Sequence, residues 1–90
     1  MSELLTMLKV DLGIMTGAYD ERLEQYLNAA QKQIEREGVK VLDLSSADDQ
    51  MLVVMYAAWL WRRRDSMEGM PRMLRYALNN RIFSAKIQGE

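Results

Sequence analysis

The sequence contains no cysteine and no histidine among its 90 residues. The missing thiols exclude disulfide bonds and thiol nucleophiles, and the two absences together exclude zinc sites of the usual Cys/His kind. Ser-His catalysis and a histidine pH switch are excluded for the same reason. The five glycines, at positions 13, 17, 38, 69 and 89, match neither a phosphate loop nor a dinucleotide fingerprint. We therefore expect no cofactor and no metal site.

The acidic residues give no catalytic pattern either. Asp48 and Asp49 are adjacent, and neighbouring side chains on a helix point about 100° apart, so the two carboxylates do not converge on one site. Their spacing from Ser45 and Ser46 instead resembles two overlapping capping boxes, with aspartate in place of glutamate. We interpret these residues as a helix start and predict that the protein is not an enzyme.

The longest apolar run, residues 51–61, is the segment around which the chain is organised. It is much shorter than the roughly 20 residues that cross a bilayer, so we expect no membrane partner. A helix that is apolar on all sides must be covered by other helices of the chain or by another copy of it. Residues 1–9 have neither a basic region nor a continuous apolar region of a signal peptide, so we expect a cytoplasmic origin.

Apolar residues recur at helical spacing through most of the chain, which predicts an all-α fold: a small bundle of about four helices in one domain, residues 1–90. The first helix ends at Gly13, and the second runs from a capping Asp20 to Gly38. Residues 39–44 are predicted to be an extended linker. The third helix begins at Ala47, continues to about residue 67, and is the long central apolar helix. Pro71 occupies the first position of the fourth helix.

The fourth helix is predicted to have one inward and one outward face. The inward row is Met70, Met73, Leu74, Ala77, Leu78 and Ile82. The outward row is Arg72, Arg75, Asn79, Asn80 and Arg81.

Charge is distributed unevenly although the net charge is only −1. Residues 1–61 contain five Lys/Arg against ten Asp/Glu, and residues 62–90 contain seven against three. Such a division is typical of nucleic-acid binding or of identical subunits that pack head to tail. Two ordinary solvated faces would give the same pattern.

Two tryptophans near the end of the apolar run indicate an interface. Trp59 and Trp61 point about 200° apart on a helix, and one small core does not readily hold both, so one of them is a candidate anchor for a partner. Met70 lies beside a loop and can contribute an adaptable surface. The candidate subunit or partner contacts are Trp59, Trp61, Arg62, Arg63, Arg64, Met70, Arg72 and Arg75.

The arginines allow a nucleic-acid interpretation as well. A helix, a glycine-containing turn and a basic last helix superficially resemble a helix-turn-helix, so a small DNA-binding regulator is the alternative function. The connection from Arg62 to Pro71 is longer than the usual three to four residues, and the net charge is slightly acidic. Both features argue against sequence-specific DNA binding.

A series of motifs follows the chain between Leu8 and Lys86: Leu23, Leu27, Ala29, Ala30, Ile34, Gly38, Asp48, Asp49, Ala57 to Arg64, Met70, Pro71, Leu74, Leu78 and the segment Asn79-Asn80-Arg81-Ile82-Phe83-Ser84. Their order resembles the head-tail connector family of tailed bacteriophages, small helical proteins also described as DNA-packaging or head-completion proteins. Where the family often has a tyrosine, a spacer and a single arginine, this chain has Trp61-Arg62-Arg63-Arg64.

The resemblance implies a structural virion protein that is assembled in the bacterial host cytoplasm. Its subunits would form a homo-oligomeric ring between the portal and the tail-completion proteins. Double-stranded DNA would pass through the ring as cargo that is bound without sequence specificity. Tight binding of phosphates would hinder this passage, so we expect Arg62, Arg63 and Arg64 to interact mainly with neighbouring carboxylates and helix ends. Ring contacts join two different surfaces of the same chain, so an acidic and a basic surface can complement each other.

Overall fold

The structure, a computed structural model, describes residues 2–65 and 69–89 and contains four α-helices in these ranges. The helices are α1 (Ser2–Leu12), α2 (Asp20–Glu37), α3 (Ala47–Arg62) and α4 (Arg72–Gln88), and a 3₁₀ turn, Arg63–Asp65, follows α3. These ranges contain no β-strand, and residues 39–43 form a non-helical linker. The prediction of an all-α bundle is confirmed.

Helix α3 lies at the centre and packs against the other three helices, most extensively against α2. Its buried apolar side chains cover most of its circumference: Leu52, Val53, Val54, Tyr56, Ala57, Ala58 and Trp61. They meet Leu4 and Leu8 of α1, the inward row of α2 and Leu74 and Leu78 of α4 in one core. The chain's own helices therefore cover most of the apolar run. The row containing Met51, which is exposed, and Met55, which is half-buried, is the exception.

Glycines end α1 and α2 where the backbone needs a positive φ. Gly13 has φ +73°, its amide bonds to the carbonyl of Val10, and the amide of Ile14 bonds to that of Lys9. Gly38 has φ +132°, with the same pattern of bonds back to Glu35 and Ile34. Both are Schellman-type ends, as the positions of the two glycines predicted.

Gly38 also lies close to α4, and this contact makes it the more sensitive of the two glycines. A Cβ built on Gly38 would lie 3.2 Å from Cγ2 of Ile82, whereas one on Gly13 meets nothing within 4 Å. We expect Gly38→Ala to lower the free energy of unfolding by about 2 kcal/mol, and Gly13→Ala by about 1 kcal/mol, because the second variant has only the backbone strain. Chemical denaturation followed by circular dichroism measures both. Equal losses would show that the approach of Ile82 adds nothing.

The predicted cap of α2 is wrong by one residue. Tyr19 occupies the N-cap position and makes no side-chain capping hydrogen bond there, and Asp20 is the first helical residue. The Asp20 carboxylate instead lies 2.7 Å from Nζ of Lys9 on α1. Aspartate in the first turn still interacts favourably with the helix dipole, but its main contact joins two helices.

The predicted capping boxes of α3 are also wrong. Ser46 is the N-cap residue, but its side chain makes no capping hydrogen bond in the described chain. Ser45 donates both its amide and its hydroxyl to the carboxylate of Asp43. Asp49 points into the protein, where its partners are the amide of Asp43 and the guanidinium of Arg81. Asp49 therefore pairs with Arg81, 32 residues away, and does not cap its own helix.

Helix α3 is shorter than predicted. It contains 16 residues, against 18 in α2 and 17 in α4, so it is not the longest element of the described chain. The α-helix ends at Arg62, where the 3₁₀ turn tightens the backbone and Nη1 of Arg64 donates to the carbonyl of Trp61 at 2.6 Å. The rest of the predicted extension, residues 66–67, lies outside the described residues.

Helix α4 differs from its predicted faces at two positions. Leu74 and Leu78 are buried, and Ala77 and Ile82 are half-buried, as expected. Met73 is exposed, although it was assigned to the inward row. Arg81, assigned to the outward row, turns inward to Asp49. Pro71 precedes the helix as its N-cap, one position before the predicted one.

Candidate interaction surfaces

Trp61 is the buried member of the tryptophan pair and serves the core. It is 8% exposed, and its ring makes edge contacts with Tyr19 and Tyr26 at centroid distances of 5.6 and 5.5 Å. The guanidinium of Arg64 lies over the ring, 3.9 Å from its centroid. Edge-to-face aromatic pairs and a cation over a ring both add to the apolar burial. Trp61 therefore joins α3 to the segment before α2 and to α2 itself.

Trp59 is half-buried and faces the start of α4. Its indole Nε1 donates to the carbonyl of Gly69 at 3.1 Å, and its ring has an edge contact with Tyr56. The guanidinium of Arg63 lies 4.7 Å from the ring centroid. The two tryptophans have different partners on different sides of α3, in agreement with their predicted divergence.

The three consecutive arginines contact different groups. Arg62 reaches both the carbonyl and the carboxylate of Asp11 at 3.4 Å, near the end of α1. Arg63 and Arg64 lie over Trp59 and Trp61, and Arg64 also donates to the end of α3. One carboxylate, the ends of two helices and two aromatic rings therefore interact with these charges. The rings were not among the expected targets.

The remaining candidates are Met70, Arg72 and Arg75, and they do not form one cluster. Met70 is half-buried and packs on the core, and Arg72 is exposed at the first position of α4. Arg75 lies 3.2 Å from the carboxylate of Glu37 at the end of α2. The structure thus distributes the candidate residues over several contacts.

A buried ion pair fixes the middle of α4. Nε of Arg81 lies 2.8 Å from Oδ1 of Asp49, and Asp49 is 3% exposed. Asp49 also accepts the amide of Asp43, and Arg81 also donates to the carbonyl of Val41. The pair therefore joins α3, the linker and α4. Sequence reasoning missed it, because both residues had a local explanation.

Glu37 connects α2 to both α3 and α4. Its carboxylate accepts a hydrogen bond from the hydroxyl of Tyr56 at 3.3 Å and another from the guanidinium of Arg75. Burial, and then the negative charge of Glu37, raise the pKa of Tyr56 above its ordinary value of 10.0. The folded state therefore holds the Tyr56 proton more tightly than the unfolded state does. The stability that this difference contributes is fully present below pH 10 and is lost as the pH rises through the folded-state pKa.

We expect the ionisation of Tyr56 to have a midpoint above pH 10.0. The difference between the tyrosinate absorbance titrations of the wild type and Tyr56→Phe isolates this group. Glu37→Gln keeps an acceptor but removes the charge, so it should lower the midpoint, and the matched change of Glu35→Gln on the exposed side of α2 should not. A midpoint at or below 10.0 would contradict the arrangement.

Helix α4 carries a second apolar row on the side away from the core, which we call the outer stripe. It consists of Met73, Tyr76, Asn80, Phe83 and Ile87, and the four apolar members are 72%, 59%, 65% and 70% exposed. Steps of three and four residues place all five on one helical face. The sequence shows this spacing, but the prediction gave α4 a single apolar face and assigned Met73 to it.

A second apolar surface lies between α1 and α3, which we call the α1–α3 depression. It has a volume of about 330 Å³, and its lining is Thr6, Met7, Val10, Asp11, Met51 and Val54. Val10 and Met51 are both exposed. A monomer rarely leaves large apolar side chains exposed in contiguous groups, so both surfaces are candidate contacts.

The described residues hold no group of three or more acidic, cysteine or histidine residues that could bind a metal ion. The depression of about 400 Å³ between α3 and α4 contains Asp48 and Asp49, but Asp49 is already committed to Arg81. None of the helices described here is long and apolar enough to span a membrane.

Comparison with known proteins returns no matching family model, no matching curated protein and no matching solved structure.

Proposed function

We propose that this protein is a structural subunit of a bacteriophage head-tail connector and that it assembles into a ring. The observation that carries the proposal is the presence of two separate exposed apolar surfaces, the outer stripe and the α1–α3 depression. A subunit of a closed ring needs two different contact surfaces, because each copy meets one neighbour on each side. The virion role comes from the motif resemblance between Leu8 and Lys86.

The charge distribution supports the same proposal. The acidic excess lies in residues 1–61 and the basic excess in residues 62–90, so a contact between these two parts of neighbouring copies would be electrostatically favourable. Internal ion pairs use part of this charge, including Asp49 with Arg81 and Glu37 with Arg75. Exposed Arg72 and Lys86 remain on the outside of α4.

Two measurements test the proposal. Light scattering after size exclusion, with negative-stain images, should give one defined mass and closed rings; a monomer or an open filament would contradict assembly into a ring. Antibody against the protein should label the junction of head and tail in virions of its phage. Label on the capsid faces or at the tail tip would contradict the connector role even if rings form.

DNA binding separates the connector from the regulator. Arg75 and Arg81 are already engaged by carboxylates, and the outward face of α4 is mainly apolar, whereas a helix that reads DNA presents polar and basic groups. We expect duplex binding to be no tighter than the non-specific range of about 10⁻⁴ to 10⁻⁶ M and to fall steeply with salt. A fluorescence anisotropy titration with two unrelated duplexes measures this. A sequence-dependent complex in the nanomolar range would favour the regulator.

A further inference from the structure

We infer that the outer stripe of one copy of this chain docks into the α1–α3 depression of the next copy. This assignment deepens the connector proposal by naming the subunit contact. It rests on that proposal for closure into a ring, and the contact itself rests on the four observations that follow.

The first observation is that α4 has two apolar faces. Leu74, Leu78 and Ala85 are buried on one side, and Tyr76, Phe83 and Ile87 are exposed on the opposite side. A helix at the edge of a bundle needs one apolar face for its own core. The second face has no such role, and it is long: positions 73 to 87 span about 21 Å along the helix axis.

The second observation is the spacing within the outer stripe. Met73, Asn80 and Ile87 are seven residues apart, with Tyr76 and Phe83 three residues after the first two. Steps of three and four residues are how an amphipathic helix presents its anchors to an apolar groove. Two aromatic anchors near the centre of the stripe are the side chains most often found at energetically dominant contact positions.

The third observation is that the α1–α3 depression provides the complementary surface. Four of its six lining residues are apolar, and two of these, Val10 and Met51, are exposed. The two surfaces lie on different elements of the chain. Pairing them is therefore a heterologous contact that repeats from copy to copy.

The fourth observation is charge. Beside the outer stripe, Arg72 and Lys86 are exposed, and both stand one position before a stripe residue. Exposed carboxylates accompany the depression: Asp11, which also contacts Arg62, belongs to its lining, and Glu3 lies four residues before Met7. Two copies of α4 that paired antiparallel would instead bring Arg72 and Lys86 together, and these like charges repel each other. The charges thus favour the depression as the occupied surface.

A mixing experiment tests the contact in the full chain. The donor variant, Tyr76→Gln/Phe83→Gln, changes the outer stripe, and the acceptor variant, Val10→Gln/Met51→Gln, changes the depression. The control, Met15→Gln/Val41→Gln, changes two exposed apolar residues outside both surfaces. All six positions are exposed, and circular dichroism checks that each variant is folded. Where a double variant is not folded, Phe83→Gln and Met51→Gln replace it.

We expect wild type and control to assemble alike, and each contact variant to weaken self-association at least about thirtyfold. A mixture of the two contact variants should form a one-to-one complex that grows no further, because one intact stripe and one intact depression remain. Assembly of the acceptor variant as in wild type, with loss only in the donor variant, would show that α4 pairs with itself. Self-pairing of α4 would overturn the inference. So would a wild type that stays monomeric, or a mixture of the two contact variants that forms no complex. The virion-labelling experiment is independent of all these outcomes, so failure of the contact and failure of the connector role are distinguishable.

Discussion

Replacing Arg81 by methionine is expected to lower the free energy of unfolding by about 3 to 5 kcal/mol. The change leaves the carboxylate of Asp49 almost fully buried, with the amide of Asp43 as a remaining donor but without its cation. A domain of this size has a total stability of about 5 to 15 kcal/mol, so a large part of the protein should be unfolded at moderate temperature. Chemical denaturation followed by circular dichroism gives the value.

The matched control removes both charges at once. Asp49→Leu/Arg81→Met leaves no unpaired buried ion, so it should recover most of the loss. Arg72→Met, a change of the same side chain at an exposed position of the same helix, should alter stability by less than about 0.5 kcal/mol. A double variant as unstable as Arg81→Met would show that the pair's role depends on its hydrogen bonds to the linker and not on charge compensation.

The sequence predicted the helices well because their signals are local. Apolar periodicity predicted the inward row of α2. Gly13 and Gly38 predicted two helix ends, because glycine readily adopts the positive φ that these ends have. The centrality of α3 followed from its apolar circumference, since such a helix needs neighbours on most sides. These features depend on residues within a few turns of each other.

The errors at the starts of α2 and α3 have a different cause, which is competition between local and distant partners. Asp20 and Asp49 both stand where aspartate caps a helix, but Lys9 and Arg81 offer a cation across the fold. Periodicity cannot rank these partners, because it contains no information about which helices become neighbours. The early end of α3 has a local cause instead, because Arg64 contacts Trp61 only three residues away once the 3₁₀ turn has formed.

The candidate contacts were predictable in part. The divergence of Trp59 and Trp61 follows from the helical angle alone, but which of them is buried depends on the positions of Tyr19 and Tyr26. Met73 could be placed on either face, since a helix with two apolar rows has no single preferred direction. Only the packing of Leu74 and Leu78 decides that Met73 faces outward.

The tryptophans are expected to separate folding from assembly. Trp61→Ala removes a buried ring that contacts two tyrosines, so we expect a loss of about 4 kcal/mol in the free energy of unfolding. Trp59→Ala removes a half-buried ring and one hydrogen bond, and we expect a loss of about 1 to 2 kcal/mol with the helices retained.

Trp59→Ala should nevertheless weaken self-association, by about tenfold, because the indole holds the carbonyl of Gly69 just before α4. Without that bond, the start of α4 is less firmly positioned and the outer stripe is presented less accurately. Trp59→Phe keeps the ring and loses only the donor, so its effect on assembly should be intermediate. Denaturation curves and light scattering across a concentration series measure the two properties separately. If Trp59→Ala and Trp59→Phe both assemble as the wild type does, Trp59 has no part in the contact between copies. If Trp59→Ala instead unfolds as readily as Trp61→Ala, Trp59 serves the fold, and the separation of folding from assembly is wrong.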